Sequence, residues 1–140
     1  MTNKEKFFHE ATDSFMPTVL VVEDDADNRE LLKTMLEMWN YRVVEAKDGL
    51  EALIIAEDIC PDLILMDFKL PFLDGLETTL KIRRSAAMSR MPIIFLSGYG
   101  EAKYRAAADE AGANEYLVKP IDFDKLQFFI SDQIKLSQSL

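Results

Sequence analysis

The sequence has few of the features that mark extracellular or membrane proteins. Its 140 residues include one cysteine, Cys60, which cannot form a disulfide within the chain and is typical of a reducing compartment. The longest apolar runs, such as 63–66 and 93–96, are far shorter than the roughly 20 residues that span a bilayer. The first residues contain no secretory signal either. We therefore expect a cytoplasmic protein that does not enter the membrane.

Positive charge is scarce as well. The chain has 16 Lys and Arg residues against 25 Asp and Glu residues, which gives a formal net charge of −9 with its histidine neutral. Such a balance repels nucleic-acid phosphates and anionic lipid headgroups unless a basic patch is present, and the sequence has no such patch. We expect no direct binding to nucleic acid or to membranes. With 49% hydrophobic and 29% charged residues, the composition predicts one globular domain.

Five short apolar runs alternate with segments of helical periodicity. The runs are continuous rather than alternating, which predicts strands that are buried on both faces of a parallel sheet. Right-handed crossovers then favour an α/β fold, a doubly wound, flavodoxin-like (βα)5 sheet with strand order 2-1-3-4-5. The runs end at Val22, near Val43, and at Met66, Leu96 and Val118.

Polar side chains follow four of the five predicted strands. In this fold the loops after the strands gather at one edge, where a crevice opens between strands one and three. Three carboxylates close together repel by about 4 kcal/mol per close pair at an effective dielectric constant of ~20, so this edge needs a cation. Mg²⁺ is the natural choice because it binds carboxylate and phosphate oxygens. The side chains are Glu23, Asp24, Asp67, Ser97 and Lys119.

A cation, a lysine and a hydroxyl around one carboxylate can together stabilise a phosphoryl group in transfer. Asp67 has neighbours on both sides, so it is the candidate nucleophile that would form an aspartyl phosphate. Each group alone has a simpler interpretation, since acidic residues cap helices and Ser-Gly or Lys-Pro pairs mark turns. Their combination on one predicted edge favours phosphoryl transfer.

Four fragments carry these groups: LVVEDD at 20–25, LILMDFKLPFLDG at 63–75, IIFLSGYG at 93–100 and NEYLVKP at 114–120. In this order and spacing they resemble the receiver domain of two-component response regulators. The resemblance runs from Thr18 to about Ser137. The chain is similar to the stand-alone type found in chemotaxis and sporulation, and a part excised from a longer regulator is the open alternative. We expect an N-terminal extension over 1–16, as a tail or short helix, a receiver domain over 17–137 and a tail over 138–140.

The resemblance implies a role for each residue of the site. A histidine kinase or a histidine phosphotransfer protein would donate a phosphoryl group to Asp67. Asp24 and Asp67 would bind Mg²⁺ directly, Glu23 would bind it through water, and the backbone carbonyl of Lys69 would complete the protein ligands. Lys119 would pair with the phosphoryl group. The result would be a phosphoprotein that acts in a phosphorelay or through protein binding.

The resemblance also implies a conformational switch. Phosphorylation would draw in the Ser97 hydroxyl, and Tyr116 would then turn inward beside a repacked fourth helix. The face made by helix four, strand five and helix five would control a downstream protein, and it would also serve a homodimer. Pro120 would follow a cis peptide bond. Lys69 and Tyr99, two residues beyond the acceptor and the serine, would shield the phosphoryl group and slow its loss.

Two other functions remain open at this stage. A haloacid-dehalogenase-like phosphatase or mutase would also use Asp67 as its nucleophile, but it would place a second acid where this chain has Lys69. A receiver that is not phosphorylated could serve as a scaffold, although every key group is present. We expect no enzyme activity beyond the chain's own phosphorylation and slow dephosphorylation.

Two aromatic features lie outside this pattern. Phe7, Ala11 and Phe15 fall four residues apart, which would suit a short docking helix before the domain. Phe128 lies near the edge of the apolar stripe of the last helix, and we expect it to be partly buried.

Overall fold

Strands and helices alternate along the chain. The structure, a computed structural model, describes residues 16–138, so the docking helix expected around Phe7, Ala11 and Phe15 lies outside the described residues, as does the end of the C-terminal tail. The strands are β1 (Thr18–Val22), β2 (Arg42–Ala46), β3 (Leu63–Asp67), β4 (Ile93–Ser97) and β5 (Glu115–Val118). The helices are α1 (Ala26–Met38), α2 (Gly49–Ile59), α3 (Gly75–Arg84), α4 (Ala102–Ala111) and α5 (Phe123–Gln138).

The five strands form one parallel sheet in the order β2-β1-β3-β4-β5. The predicted fold class and strand order are therefore confirmed. Strand β1 pairs with β2 on one side and with β3 on the other, so the chain reverses its winding between β1 and β3. That reversal opens a crevice beyond the carboxyl ends of these two strands.

Helices cover both faces of the sheet, which explains why the strands are continuously apolar. Along β1, Val19 and Val21 face the layer of α1 and α5, whereas Leu20 and Val22 face the layer of α2, α3 and α4. All four side chains are almost completely buried. Burying a Val or Leu side chain contributes about 1.5–3 kcal/mol, so both layers stabilise the central strands. Trp39 packs partly buried against the α1 and α5 layer.

Aspartates fix the start of most helices. The side chains of Asp25, Asp48 and Asp74 each accept a hydrogen bond from a backbone N–H in the first turn of α1, α2 and α3. Asp122 accepts one in the same way at α5. Helix α4 differs, because Glu101 at its N-cap position makes no side-chain capping bond. The loops that leave β1, β2, β3 and β5 are therefore closed by caps that the loop after β4 lacks.

One aromatic side chain lies differently from the sequence expectation. Phe128 is 64% exposed rather than partly buried, because the buried positions of α5 are Leu126, Ile130 and Ile134. Residue 128 is two positions from both Leu126 and Ile130, and such neighbours do not share a helix face. Within residues 16–138, none of the helices is long and apolar enough to cross a membrane.

Candidate functional site

A cleft of about 650 Å³ opens at the carboxyl edge of the sheet, over β1 and β3. The loops after β1, β3, β4 and β5 all contribute to its walls. Every residue to which the sequence assigned metal binding, phosphoryl chemistry or shielding lines this cleft: Glu23, Asp24, Asp67, Lys69, Ser97, Tyr99 and Lys119.

Three carboxylates meet in the cleft. Glu23, Asp24 and Asp67 each offer an oxygen within 4.8 Å of the others. The Glu23 side chain is only 4% exposed and that of Asp67 12%, whereas Asp24 is exposed. Burial raises the pKa of the Glu23 carboxyl, and the neighbouring Asp67 raises it further. The pKa of Asp24 is also raised, by desolvation in the cleft and then by Glu23.

Lys119 is the cation of this cluster. Its Nζ lies 3.3 Å from Glu23 Oε1 and 3.6 Å from Asp67 Oδ2. Burial alone would lower the pKa of the Lys119 ammonium, but the carboxylates of Asp67 and Glu23 outweigh it and raise the pKa. The lysine therefore stays charged. The Lys119–Pro120 peptide bond is cis.

The donor set fits a hard divalent cation. One ammonium against three carboxylates leaves the cluster negative, and the three oxygens close together are the kind of ligands that Mg²⁺ takes. Burial first, and then the neighbouring carboxylates, raise the pKa of Glu23 and of Asp24, and a bound cation would oppose both effects. This group of residues could hold a metal ion.

Close packing fixes the backbone beneath Asp67. Gly75 opens α3 directly against it, and a Cβ at this glycine would come within 2.4 Å of the Asp67 carbonyl oxygen. The Gly75 N–H also donates to the carbonyl of Phe68, at 3.0 Å. Helix α3 is thus anchored on the same backbone that presents the central carboxylate, and only glycine allows this approach.

Ser97 and Tyr116 are both buried and are linked through Tyr99. The Ser97 hydroxyl oxygen accepts a hydrogen bond from the Tyr99 N–H at 3.0 Å. The Tyr116 hydroxyl donates to the Tyr99 carbonyl oxygen at 2.6 Å, and Tyr116 is only 6% exposed. The ring of Tyr116 therefore lies in the inward position that the sequence analysis expects to accompany phosphorylation.

An aromatic cluster joins the cleft to α4 and β5. It consists of Phe68, Phe95, Tyr99, Tyr104 and Tyr116. Phe68 is its centre, with the other four rings edge-on at centroid distances of 5.5–6.4 Å. The sequence analysis did not single out Phe68 or Tyr104. Their positions directly after Asp67 and early in the fourth helix were visible, but the distance between them depends on how α4 packs.

The sequence profile of the response regulator receiver domain matches residues 19–131. The chain belongs to this family. Among solved structures, the receiver domain of a Pseudomonas aeruginosa sensor histidine kinase, determined with a magnesium ion in its active-site cleft, is 37% identical with a TM-score of 0.81. Chemotaxis response regulator CheY4 of Vibrio cholerae is 28% identical with a TM-score of 0.79. The alignments cover 86% and 84% of this receiver and 98% of each of the other chains.

Curated relatives of the receiver are longer proteins. Transcriptional regulatory protein ZraR of Klebsiella oxytoca is 36% identical over 86% of this chain, which corresponds to 28% of the relative. The phosphate regulon regulator PhoB of Pseudomonas aeruginosa is 37% identical over 74% of this chain and 45% of the relative. The chain thus spans between about a quarter and a half of these regulators. The predicted receiver function is confirmed, and the phosphatase and scaffold alternatives are not favoured.

Proposed function

We propose that this receiver accepts a phosphoryl group on Asp67 and so passes on a signal. The carboxylate oxygen of Asp67 forms a bond to phosphorus, while the bond from phosphorus to the donor's histidine nitrogen breaks and the imidazole takes up a proton. The donor is a histidine kinase or a histidine phosphotransfer protein, in keeping with the family, and we place the reaction in the cytoplasm. The observation that carries the proposal is the cluster of three carboxylates with Lys119 3.6 Å from Asp67.

The residues of the cleft would have separate roles in this reaction. Asp24 and Asp67 would hold Mg²⁺ directly, Glu23 would hold it through water, and the Lys69 backbone carbonyl would add a fourth ligand. Bound there, Mg²⁺ supplies positive charge to the phosphoryl oxygens. Lys119 would supply a second positive charge, because its ammonium already lies 3.6 Å from the Asp67 carboxylate.

The switch would couple this chemistry to a protein surface. The Ser97 hydroxyl, whose oxygen accepts from the Tyr99 N–H, would move to donate its own hydrogen to a phosphoryl oxygen. This movement would draw on the bond with Tyr99 and so adjust the loop that Tyr116 contacts. The inward ring of Tyr116 would then determine the conformation of the face made by α4, β5 and α5. We propose that this face binds a downstream protein and that it also serves a homodimer.

An apolar groove beside the cleft supports a protein as the donor. The groove measures about 290 Å³ and shares Glu23 and Lys119 with the cleft. Leu31, Ile121 and Phe123 contribute to its wall, and Leu31 is 50% exposed on α1. A small phosphodonor would gain little from such a surface, whereas a helix that presents a phosphohistidine could pack on it.

Intact mass after incubation with acetyl phosphate and Mg²⁺ tests the proposal. We expect one added phosphoryl group that is stable in acid and labile in base, and none in Asp67→Ala. Asp74→Asn is the matched control, because it removes a carboxylate outside the cleft while an asparagine can still cap α3. Continuous turnover of acetyl phosphate would indicate a phosphatase, and absence of the adduct in the unmodified chain would leave only the scaffold. Either result would contradict the proposal.

A further inference from the structure

Arg105 on α4 contacts one residue of the switch in two ways. Its guanidinium carbon lies 5.1 Å from the centroid of the Tyr116 ring, within the range of a cation–π interaction. Its Nη1 also donates to the Tyr116 backbone carbonyl at 3.3 Å. Arg105 therefore binds both the ring and the backbone of Tyr116, and it does so from α4, the helix whose first turn lacks a side-chain cap.

Other residues also hold the Tyr116 ring in its inward position, and the contact with Arg105 adds to theirs. Phe95 is its partner on the neighbouring strand, and the two rings are nearly parallel at a centroid distance of 6.2 Å. Phe68 meets the ring edge-on at 6.4 Å. The hydroxyl is held by the Tyr99 carbonyl. An outward turn of the ring would break all of these contacts together with the cation–π contact.

Tyr104, the residue beside Arg105, contacts two of the residues that surround Tyr116. Tyr104 stacks on Tyr99 at a centroid distance of 4.5 Å, and it meets Phe68 edge-on at 5.5 Å. Two consecutive residues of α4 thus contact the two ends of the Tyr116 hydrogen bond, Tyr104 at the acceptor residue and Arg105 at the donor residue. A shift of the start of α4 would loosen both.

We propose that Arg105 is a positioning residue that holds Tyr116 inward and thereby strengthens binding of the phosphoryl group at Asp67. The inference rests on the proposed function, in which the inward ring and the phosphoryl group favour each other. Coupling between two sites is reciprocal, so a contact that stabilises the inward ring must also stabilise a ligand that prefers it. Arg105 itself lines a separate groove between α4 and β5 rather than the cleft, so its effect has to pass through Tyr116.

Two measurements on the same samples test the inference. Incorporation of 3-fluorotyrosine allows the Tyr116 environment to be followed by ¹⁹F NMR, with Tyr116→Phe to assign its resonance. Titration with beryllofluoride in the presence of Mg²⁺ measures affinity for a phosphoryl mimic at Asp67. In Arg105→Ala we expect the Tyr116 resonance to move toward the solvent-exposed position and beryllofluoride affinity to fall about five-fold or more, the lower end of typical coupling.

The matched control is Lys125→Ala. Lys125 lies over the Phe129 ring at 5.8 Å, so the variant removes a cation–π contact from α5 and leaves that of Tyr116 intact. We expect it to change neither measurement. Arg105→Lys keeps a positive charge near the ring but loses the planar guanidinium, so it should restore part of both effects. It also provides the test if the alanine variant does not fold.

The outcomes separate this inference from the function on which it rests. If the unmodified chain gains neither a phosphoryl group nor beryllofluoride, the proposed function is wrong. If the unmodified chain binds beryllofluoride but Arg105→Ala changes neither the resonance nor the affinity, Arg105 has no positioning role. A change in only one of the two would also overturn the inference, because reciprocal coupling requires both.

Discussion

Among single residues, Phe72 has the least favourable backbone near the cleft. It follows Pro71, which lines the cleft, and it has a φ of 66° while its side chain is 84% exposed. A left-handed conformation costs a residue other than glycine roughly 1–2 kcal/mol. The exposed ring offers little packing to offset that cost.

Phe72→Gly should therefore raise the free energy of unfolding by up to about 1 kcal/mol, after the greater freedom of glycine in the unfolded chain is subtracted. Urea denaturation measures the change. Phe128→Gly is the control, since it removes another exposed phenylalanine from the interior of α5 and should lower the free energy of unfolding by roughly 0.5–1 kcal/mol. A loss of stability in both variants would show that the loop gains from the Phe72 side chain.

Shielding of the phosphoryl group by Lys69 and Tyr99 is a prediction at the same scale. Both residues line the cleft, Lys69 exposed and Tyr99 partly buried, which is compatible with a role in limiting the access of water to Asp67. We expect Lys69→Ala to lose its phosphoryl group several-fold faster than the unmodified chain, and the double variant with Tyr99→Ala to lose it faster still. Intact mass, followed after the donor is removed, gives the rate. Lys81→Ala, on α3, should match the unmodified chain, and equal rates in all variants would rule out shielding.

Among the secondary-structure elements, α4 is fixed more firmly at its end than at its start. At its end, Nε and Nη2 of Arg83 donate to the carbonyl of Gly112, at 3.0 and 2.7 Å, and Gly112 closes the helix with a φ of 109°. At its start, Glu101 provides no cap, and the first turn relies on Tyr104 and Arg105 for its contacts. The start of such a helix can change its packing at a low cost in free energy while the other end stays in place.

A reciprocal pair of substitutions tests this imbalance. Glu101→Asp shortens the side chain to one that can accept from the first turn, so amide hydrogen exchange at residues 102–105 should slow and the free energy of unfolding should rise by up to about 1 kcal/mol. Asp74→Glu makes the opposite change at α3, where the Asp74 carboxylate now accepts from the Glu77 N–H at 2.8 Å. The Asp74→Glu variant should therefore speed amide hydrogen exchange in the first turn of α3. If α3 responds and α4 does not, the start of α4 is closed by other means.

The elements were largely predictable from the sequence, whereas contacts among their side chains were not. The continuous apolar runs identified the five strands, and the strand order placed Glu23, Asp67 and Lys119 at one edge. Burial of Leu20 and Val22 on one side and of Val19 and Val21 on the other needs only the period of a strand. The aromatic cluster needs more. Phe68 meets Tyr104 only because α4 packs in a particular position beside α3 and β5, and the periodicity of the sequence carries no information about that position.

At the scale of the whole molecule, three negative charges lie so close together that their repulsion destabilises the folded state. The carboxylates of Glu23, Asp24 and Asp67 lie within 4.8 Å of one another in a chain of formal net charge −9. A cation that binds only the folded chain adds about 2.7 kcal/mol of stability at a concentration 100 times its dissociation constant. The receiver should therefore be measurably more stable in Mg²⁺ than in a chelator.

Thermal unfolding with and without Mg²⁺ measures this effect. Asp24→Asn should lose most of the stabilisation by Mg²⁺, and in a chelator it should be at least as stable as the unmodified chain because it removes one of the repelling charges. Asp58→Asn, on the exposed side of α2, is the control that should keep the full response. A Mg²⁺ response that survives in Asp24→Asn would place the ion elsewhere.

The two layers of the molecule also differ in their chromophores. Trp39, the only tryptophan, packs on the α1 and α5 side with Phe123 edge-on at 6.4 Å, while three of the four tyrosines lie in the aromatic cluster on the other side. Indole emission therefore reports on one face of the sheet and most of the phenol emission on the other. Tyr41, the fourth tyrosine, packs on the same side as Trp39, whereas energy transferred from the three cluster tyrosines must cross the sheet. In Tyr41→Phe, intrinsic fluorescence can therefore follow movement of one layer against the other without an added label.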